Sequence, residues 1–149
     1  MFILLTGSRI GLTCVMRREW LDQWGLKIPK KTPGTKGATH LLMGPEGRAM
    51  FEQNTVPVLD EWVYDSLKEI NAVVEEPFGR KLNPHALRKT FSARAEEMGV
   101  PKPLVDWVIN HKASKLDMSY YDRNAETIHP FLLKIEAGLL EYLRKEGPP

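Results

Sequence analysis

A single cysteine, Cys14, stands in a chain of 149 residues. A lone thiol excludes a disulfide framework and a cysteine-based zinc site, and makes a reducing, cytoplasmic compartment the expectation. No apolar run approaches the roughly 20 residues needed to cross a membrane. The opening MFILLTGSR is apolar for only five residues and has no basic segment before it. It reads as the end of a buried helix or strand rather than a signal peptide. The four histidines, His40, His85, His111 and His129, lack close ligand spacing such as His-x₃-His, which argues against a metal centre. Also missing are internal repeats, low-complexity segments, a glycine-rich phosphate loop and the strand–helix alternation of a parallel α/β sheet.

What remains is one ordinary domain with enough apolar material, 42% of residues, to bury a core. The net charge of +2 permits a nucleic-acid partner without demanding one. The charge is uneven. Arg17, Arg18, Lys27, Lys30, Lys31 and Lys36 give the first 36 residues a basic excess, and acidic residues gather between Asp60 and Glu76. A solvated surface accounts for that pattern as well as a binding face does.

Local signals predict a mostly helical α+β fold. Met1 to Leu5 is expected to end a helix at Thr6-Gly7, and Leu12 to Leu21 to form another, closed by Asp22 and Gly25. Leu26–Ile28 and Thr39–Met43 are expected as strands of a small antiparallel hairpin or three-stranded sheet, joined by the turn-rich PKKTPGTKG. Pro45 to Gln53 opens a helix, and Asp60 to Val74 carries apolar residues near helical spacing. The clearest helix runs from Asn83 to Met98. Asn83 is placed to cap it, Pro84 takes the first helical position, Gly99 terminates it and Pro101 prevents continuation. Pro103 to Asn110 is a further helix with Leu104, Val105, Val108 and Ile109 buried. Tyr120 and Tyr121 lie in a loop or short helix. His129-Pro130 precedes a last amphipathic helix, Phe131 to Lys145, with Leu132, Ile135, Leu139 and Leu143 on its apolar face.

The stretch NPHALRKTF, from Asn83 to Phe91, carries the most suggestive chemistry. His85 and Arg88 are three residues apart and so share a helix face. Both lie in or beside the first turn, where free backbone N–H groups favour an anion. A guanidinium there offers a planar fork to two phosphate oxygens. Taken alone, such a pair is more often a solvated surface feature.

Further segments extend the pattern. HALRKTFSARAEEMGVPKPLVDWVINHK, His85 to Lys112, resembles the His-x-x-Arg box of the tyrosine recombinases, the phage-integrase family. That helix pair ends in a Gly-His or Asn-His dipeptide, here Asn110-His111. The nucleophile follows about ten residues later as Tyr-x-Arg, here Tyr121-Asp122-Arg123. The Thr-Gly-x-Arg turn that opens the family's catalytic domain is matched by Thr6-Gly7-Ser8-Arg9, and its hairpin lysine by Thr35-Lys36 ahead of His40. The elements occur in the family's order across nearly the whole chain. Where the family often has Gly-Glu after the first arginine, this chain has Gly11-Leu12.

The resemblance implies a tyrosine-recombinase catalytic fold, with a small antiparallel sheet beside a helical core. It implies site-specific DNA recombination or integration through a covalent 3′-phosphotyrosine, with no cofactor and no metal. Arg9 and Arg88 would hold the non-bridging phosphate oxygens, and His111 would donate to the phosphate. His85 would take or share a proton, Lys36 would protonate the leaving 5′-oxygen, and Tyr121 would be the nucleophile. Tyr120 competes for the last role, and Lys31 and Lys30 for that of Lys36. His40 and His129 are read as structural or surface residues. The implied partners are double-stranded DNA and further copies of the chain, as a tetramer on DNA, rather than a membrane or a small molecule. A phage, bacterial or mobile-element origin is implied as well.

Family members carry a helical DNA-clamping domain upstream, whereas this chain starts almost at Arg9. Residues 1–149 are therefore expected to be a single catalytic domain truncated at the N-terminus, or else a non-catalytic DNA-binding remnant of a longer integrase. The helix at about 131–145 is a candidate docking segment, in cis or on a neighbouring protomer.

Overall fold

Glycine, proline and asparagine decide where the helices of this chain start and stop. The computed structural model describes residues 1–32, 40–53, 64–65, 67–69, 71, 82–111 and 124–146. Helix α1 (Phe2–Thr6) ends at Gly7, which has φ 62° and donates its N–H to Ile3 O at 2.9 Å. A side chain at Gly7 would meet that left-handed strain and, at 2.6 Å, Ile109 Cγ2. Helix α2 (Ile10–Thr13) starts directly after Arg9. Strands β1 (Gly25–Lys27) and β2 (His40–Leu42) pair antiparallel, with Leu26 opposite Leu41 and Lys27 opposite His40. Helix α3 (Pro45–Gln53) follows, and residues 64–65, 67–69 and 71 are helical within the predicted Asp60–Val74 stretch. Helices α4 (Pro84–Glu97), α5 (Lys102–Val108) and α6 (Ala125–Glu146) complete the order. The fold is therefore mostly helical α+β, with a two-stranded sheet among the described residues.

Helix α4 is built as its sequence predicts. Asn83 Oδ1 accepts the Ala86 N–H at 2.8 Å, and Pro84 occupies the first turn. At the other end Gly99 (φ 76°) lets its N–H reach Glu96 O and the Val100 N–H reach Ala95 O. This paired closure satisfies carbonyls that would otherwise be orphaned. Just upstream, the Asn71 side chain bonds both the N–H and the C=O of Leu82, fixing the entry to the helix.

Two expectations are corrected. Leu12 to Leu21 is not one helix. It stops at Thr13 and resumes as a single 3₁₀ turn, Arg18–Trp20. Leu21 bridges Leu26 in an antiparallel contact, which demands extended backbone. A straight helix would also spread residues 12–21 over about 13 Å, whereas Leu12, Met16 and Leu21 all pack on one cluster. The last helix begins at Ala125, not Phe131. Asn124 Oδ1 accepts the Thr127 N–H at 2.7 Å as an upstream cap, and Ile128 is fully buried. Pro130 lies inside the helix, at the cost of the one backbone bond its missing N–H would have made.

The core has two parts, and β2 lies between them. Leu42 faces Leu5, Phe91, Val105, Leu132, Ile135 and Leu139; Leu41 and Met43 face Leu12, Met16, Leu26 and Phe51. The two-residue period of the strand sends alternate side chains to the two clusters. Helix α1 packs against α3, α4 and α6, and so brings the turn after it into the middle of the fold. Leu132, Ile135 and Leu139 of α6 are buried on this chain's own core. No helix among the described residues is long and apolar enough to cross a membrane.

Candidate functional site

The predicted arginines meet where three segments end. Helix α1 delivers Gly7, helix α5 delivers Ile109 and Asn110, and helix α4 passes Arg88 beneath them. Arg88 is 7% exposed. One of its terminal nitrogens donates to the Gly7 carbonyl and the other to the Ile109 carbonyl. Arg9, two residues past Gly7, donates from Nη1 to the Asn110 carbonyl at 2.9 Å. Two guanidinium groups separated by 79 residues thus anchor on consecutive carbonyls.

The end of α5 explains how those carbonyls are presented. Asn110 takes φ 52°, the left-handed conformation that asparagine tolerates better than most residues. Its N–H bonds Trp107 O at 2.9 Å, and the His111 N–H bonds Asp106 O at 2.7 Å. The helix is closed by the same paired bonds as α4, so His111 is held by its own backbone immediately beside Arg9's anchor. Its side chain is 60% exposed, with Nδ1 3.6 Å from Asp106 Oδ1. The same carboxylate oxygen lies 3.4 Å from Lys102 Nζ. His85 is also exposed, on the first turn of α4.

Electrostatically the site carries surplus positive charge. Burial, with the neighbouring Arg9 charge acting in the same direction and Asp106 opposing both, brings Arg88 down from its ordinary value to about 10. Arg88 remains a cation at neutral pH. Two like charges held close together, with one carboxylate beside them, favour an anion that bridges them. The arrangement can neutralise charge on phosphate or another oxyanion.

Of the six predicted residues, Arg9, Arg88 and His111 come together, and His85 stands on the Arg88 helix one turn earlier. Lys36, Tyr121 and its rival Tyr120 lie outside the described residues. Lys30 and Lys31 are exposed, Lys31 with φ 65°. His40 and His129 have structural places. His40 Nε2 is 2.9 Å from Asp22 Oδ2. His129 Nε2 is 2.9 Å from Met43 O, and its ring lies against Trp24 at 5.2 Å. Among the described residues no cluster of three potential metal ligands occurs.

Sequence reasoning passed over Asp106 and Glu136. Asp106 is the acidic residue in α5 and lies five positions before His111, a spacing that a helix followed by a left-handed turn brings together. Glu136 is the acid on the buried face of α6, 3% exposed. It accepts from the Gly47 N–H at 2.8 Å and the Glu46 N–H at 3.4 Å, at the start of α3. No family model, curated protein or solved structure matches the chain.

Proposed function

We propose that this chain is a phosphoryl-transfer domain of the tyrosine-recombinase type, acting on duplex DNA. The observation that carries the reading is the convergence of Arg9 and Arg88 on the carbonyls of Asn110 and Ile109, next to His111. A displacement at phosphorus gathers negative charge on the non-bridging oxygens. Preorganised donors aimed at that charge supply much of the catalysis, about 10²–10³ in rate for each donor lost.

In this reading the Tyr121 hydroxyl attacks a phosphodiester. Its proton passes to His85, the new bond joins Tyr121 Oη to phosphorus, and the bond from phosphorus to the 5′-oxygen breaks. Lys36 protonates that leaving oxygen, and the phosphotyrosine link keeps the bond energy for a later attack by a 5′-hydroxyl. Arg9, Arg88 and His111 hold the phosphate throughout. Assembly of several copies on DNA, as a tetramer, and site-specific recombination or integration as the outcome belong to the same proposal.

A second reading rests on Arg88's own bonds. Both of its terminal nitrogens are engaged by backbone carbonyls, an arrangement that also suits a non-catalytic DNA-binding remnant in which Arg88 is a structural tie.

Covalent trapping separates the two. The chain is incubated with nicked duplexes and run on a denaturing gel beside Tyr121→Phe. A shifted band that disappears in the variant is the expected result. A band that survives moves the nucleophile to Tyr120. Salt-sensitive duplex binding with no band, even when an upstream clamping domain is supplied, favours the remnant.

A further inference from the structure

We propose that Asn110 is a positioning residue that locks Arg9 and the β1–β2 hairpin into one frame. The catalytic part of this proposal rests on the function proposed above. Three features of one residue carry it. Its backbone adopts φ 52°, which turns its carbonyl toward Arg9. That carbonyl accepts from Arg9 Nη1 at 2.9 Å. Its side-chain Nδ2 donates to the His40 carbonyl on β2, also at 2.9 Å.

The connection continues beyond His40. The His40 ring lies 2.9 Å from Asp22 Oδ2, and Asp22 Oδ1 accepts the N–H groups of Trp24 and Gly25 at 2.8 and 3.0 Å. Both strands are therefore tied to the turn that ends α5. Lys27, paired with His40 across the sheet, starts the sequence that leads to Lys36. A hairpin free to slide relative to α5 would have no fixed relation to the arginine pair.

The identity of the residue matters for two separable reasons. Glycine also adopts the left-handed conformation without strain, but offers no side-chain donor. Aspartate tolerates the conformation, yet presents only acceptors to the His40 carbonyl. Alanine lacks the donor and is strained as well. Among these, asparagine alone supplies both the turn and the tie.

Asn110→Gly and Asn110→Asp test the tie with the turn preserved, and Asn110→Ala shows the added effect of strain. Two quantities are measured on the full chain: amide hydrogen exchange of residues 24–28 and 40–43, and single-turnover adduct formation on nicked duplex alongside duplex affinity. In Asn110→Gly, hairpin exchange is expected to speed up by about tenfold, as for a lost hydrogen bond. The adduct rate is expected to fall by roughly 10- to 100-fold, as for a small misplacement of catalytic groups, with duplex affinity unchanged. Asn110→Asp should follow Asn110→Gly. Hairpin exchange equal to wild type in Asn110→Gly overturns the proposal. So does faster exchange with an undiminished adduct rate, because Asn110 would then be a purely structural tie. A wild-type chain that forms no adduct, while the variants still loosen the hairpin, counts against the functional reading and leaves the tie standing.

Discussion

Two buried charges in this molecule, Arg88 and Glu136, solve opposite forms of the same problem. Arg88 supplies donors to carbonyls left open where α1 and α5 end. Glu136 supplies an acceptor to N–H groups left open where α3 begins. Each completes backbone groups that a helix cannot satisfy itself. The difference lies in what surrounds them. Burial raises the Glu136 carboxyl above its ordinary value, though the Gly47 and Glu46 N–H groups pull the other way. Arg88 has a second cation beside it and exposed histidines nearby, so its charge is in excess. At the carboxylate junction the charge is met by two backbone N–H groups, whereas the arginine junction sets two guanidinium groups against one nearby carboxylate. That contrast separates a structural site from a candidate for chemistry.

The largest expected effect breaks the arginine side. Arg88→Ala leaves the Gly7 and Ile109 carbonyls without their donor. Buried acceptors lose about 1–3 kcal/mol each when unpaired, so stability should fall by roughly 2–5 kcal/mol, read as the midpoint of urea unfolding at pH 7. Arg88→Lys keeps the charge, but one ammonium cannot reproduce the planar fork. It should recover part of the stability and little of any phosphoryl-transfer rate. If Arg88→Ala proved as stable as wild type, the bonds to Gly7 and Ile109 would not be holding the junction.

A smaller and pH-dependent effect is expected on the carboxylate side. The folded-state value of Glu136 lies above its unfolded value near 4.5. Between those values the folded chain binds more protons than the unfolded chain. The stability contributed by the protonated group is therefore fully present below about pH 4.5 and is lost as pH rises through the folded value. Glu136→Gln removes this dependence and keeps an acceptor for Gly47. Relative to wild type it should gain stability as pH rises from 4.5 toward neutrality. Glu136→Ala leaves the Gly47 N–H open and should lose about 1–3 kcal/mol. Urea midpoints across pH 4–8 decide the sign. A difference between Glu136→Gln and wild type that is flat with pH would contradict the assignment.

The two junctions were unequally legible in the sequence, and the reason is range. Signals that act within a few residues were readable: Asn83 and Pro84 at the start of α4, Gly99 and Pro101 at its end, and Gly44-Pro45 before α3. The start of α6 was misread because Pro130 looks like a boundary, while the true cap, Asn124, lies six residues upstream. The bond from Arg88 to Gly7 spans 81 residues and that from Arg9 to Asn110 spans 101. No local pattern encodes such contacts, and the pairing of the arginines was reached only through the family resemblance. Glu136 did leave a trace, as an acid on a stripe otherwise filled by Leu132, Ile135 and Leu139, but nothing nearby names its partner at Gly47. The turn at Asn110 was visible as an Asn-His dipeptide, whereas the left-handed conformation and the bond to His40 were not.

The smallest expected effect sharpens the comparison by separating helix formation from the arginine tie. Asn83→Ala removes the cap on Ala86 and should cost about 1 kcal/mol, with faster amide exchange confined to the first turn of α4. His85 is carried by that turn, whereas Arg88 is held from outside it by the carbonyls of Gly7 and Ile109. Loss of the cap should therefore loosen His85 while leaving the arginine junction in place. If exchange also rose around Gly7 and Ile109, Arg88 would depend on the first turn for its position. The junction would then be an extension of α4, not an independent meeting point of three segments.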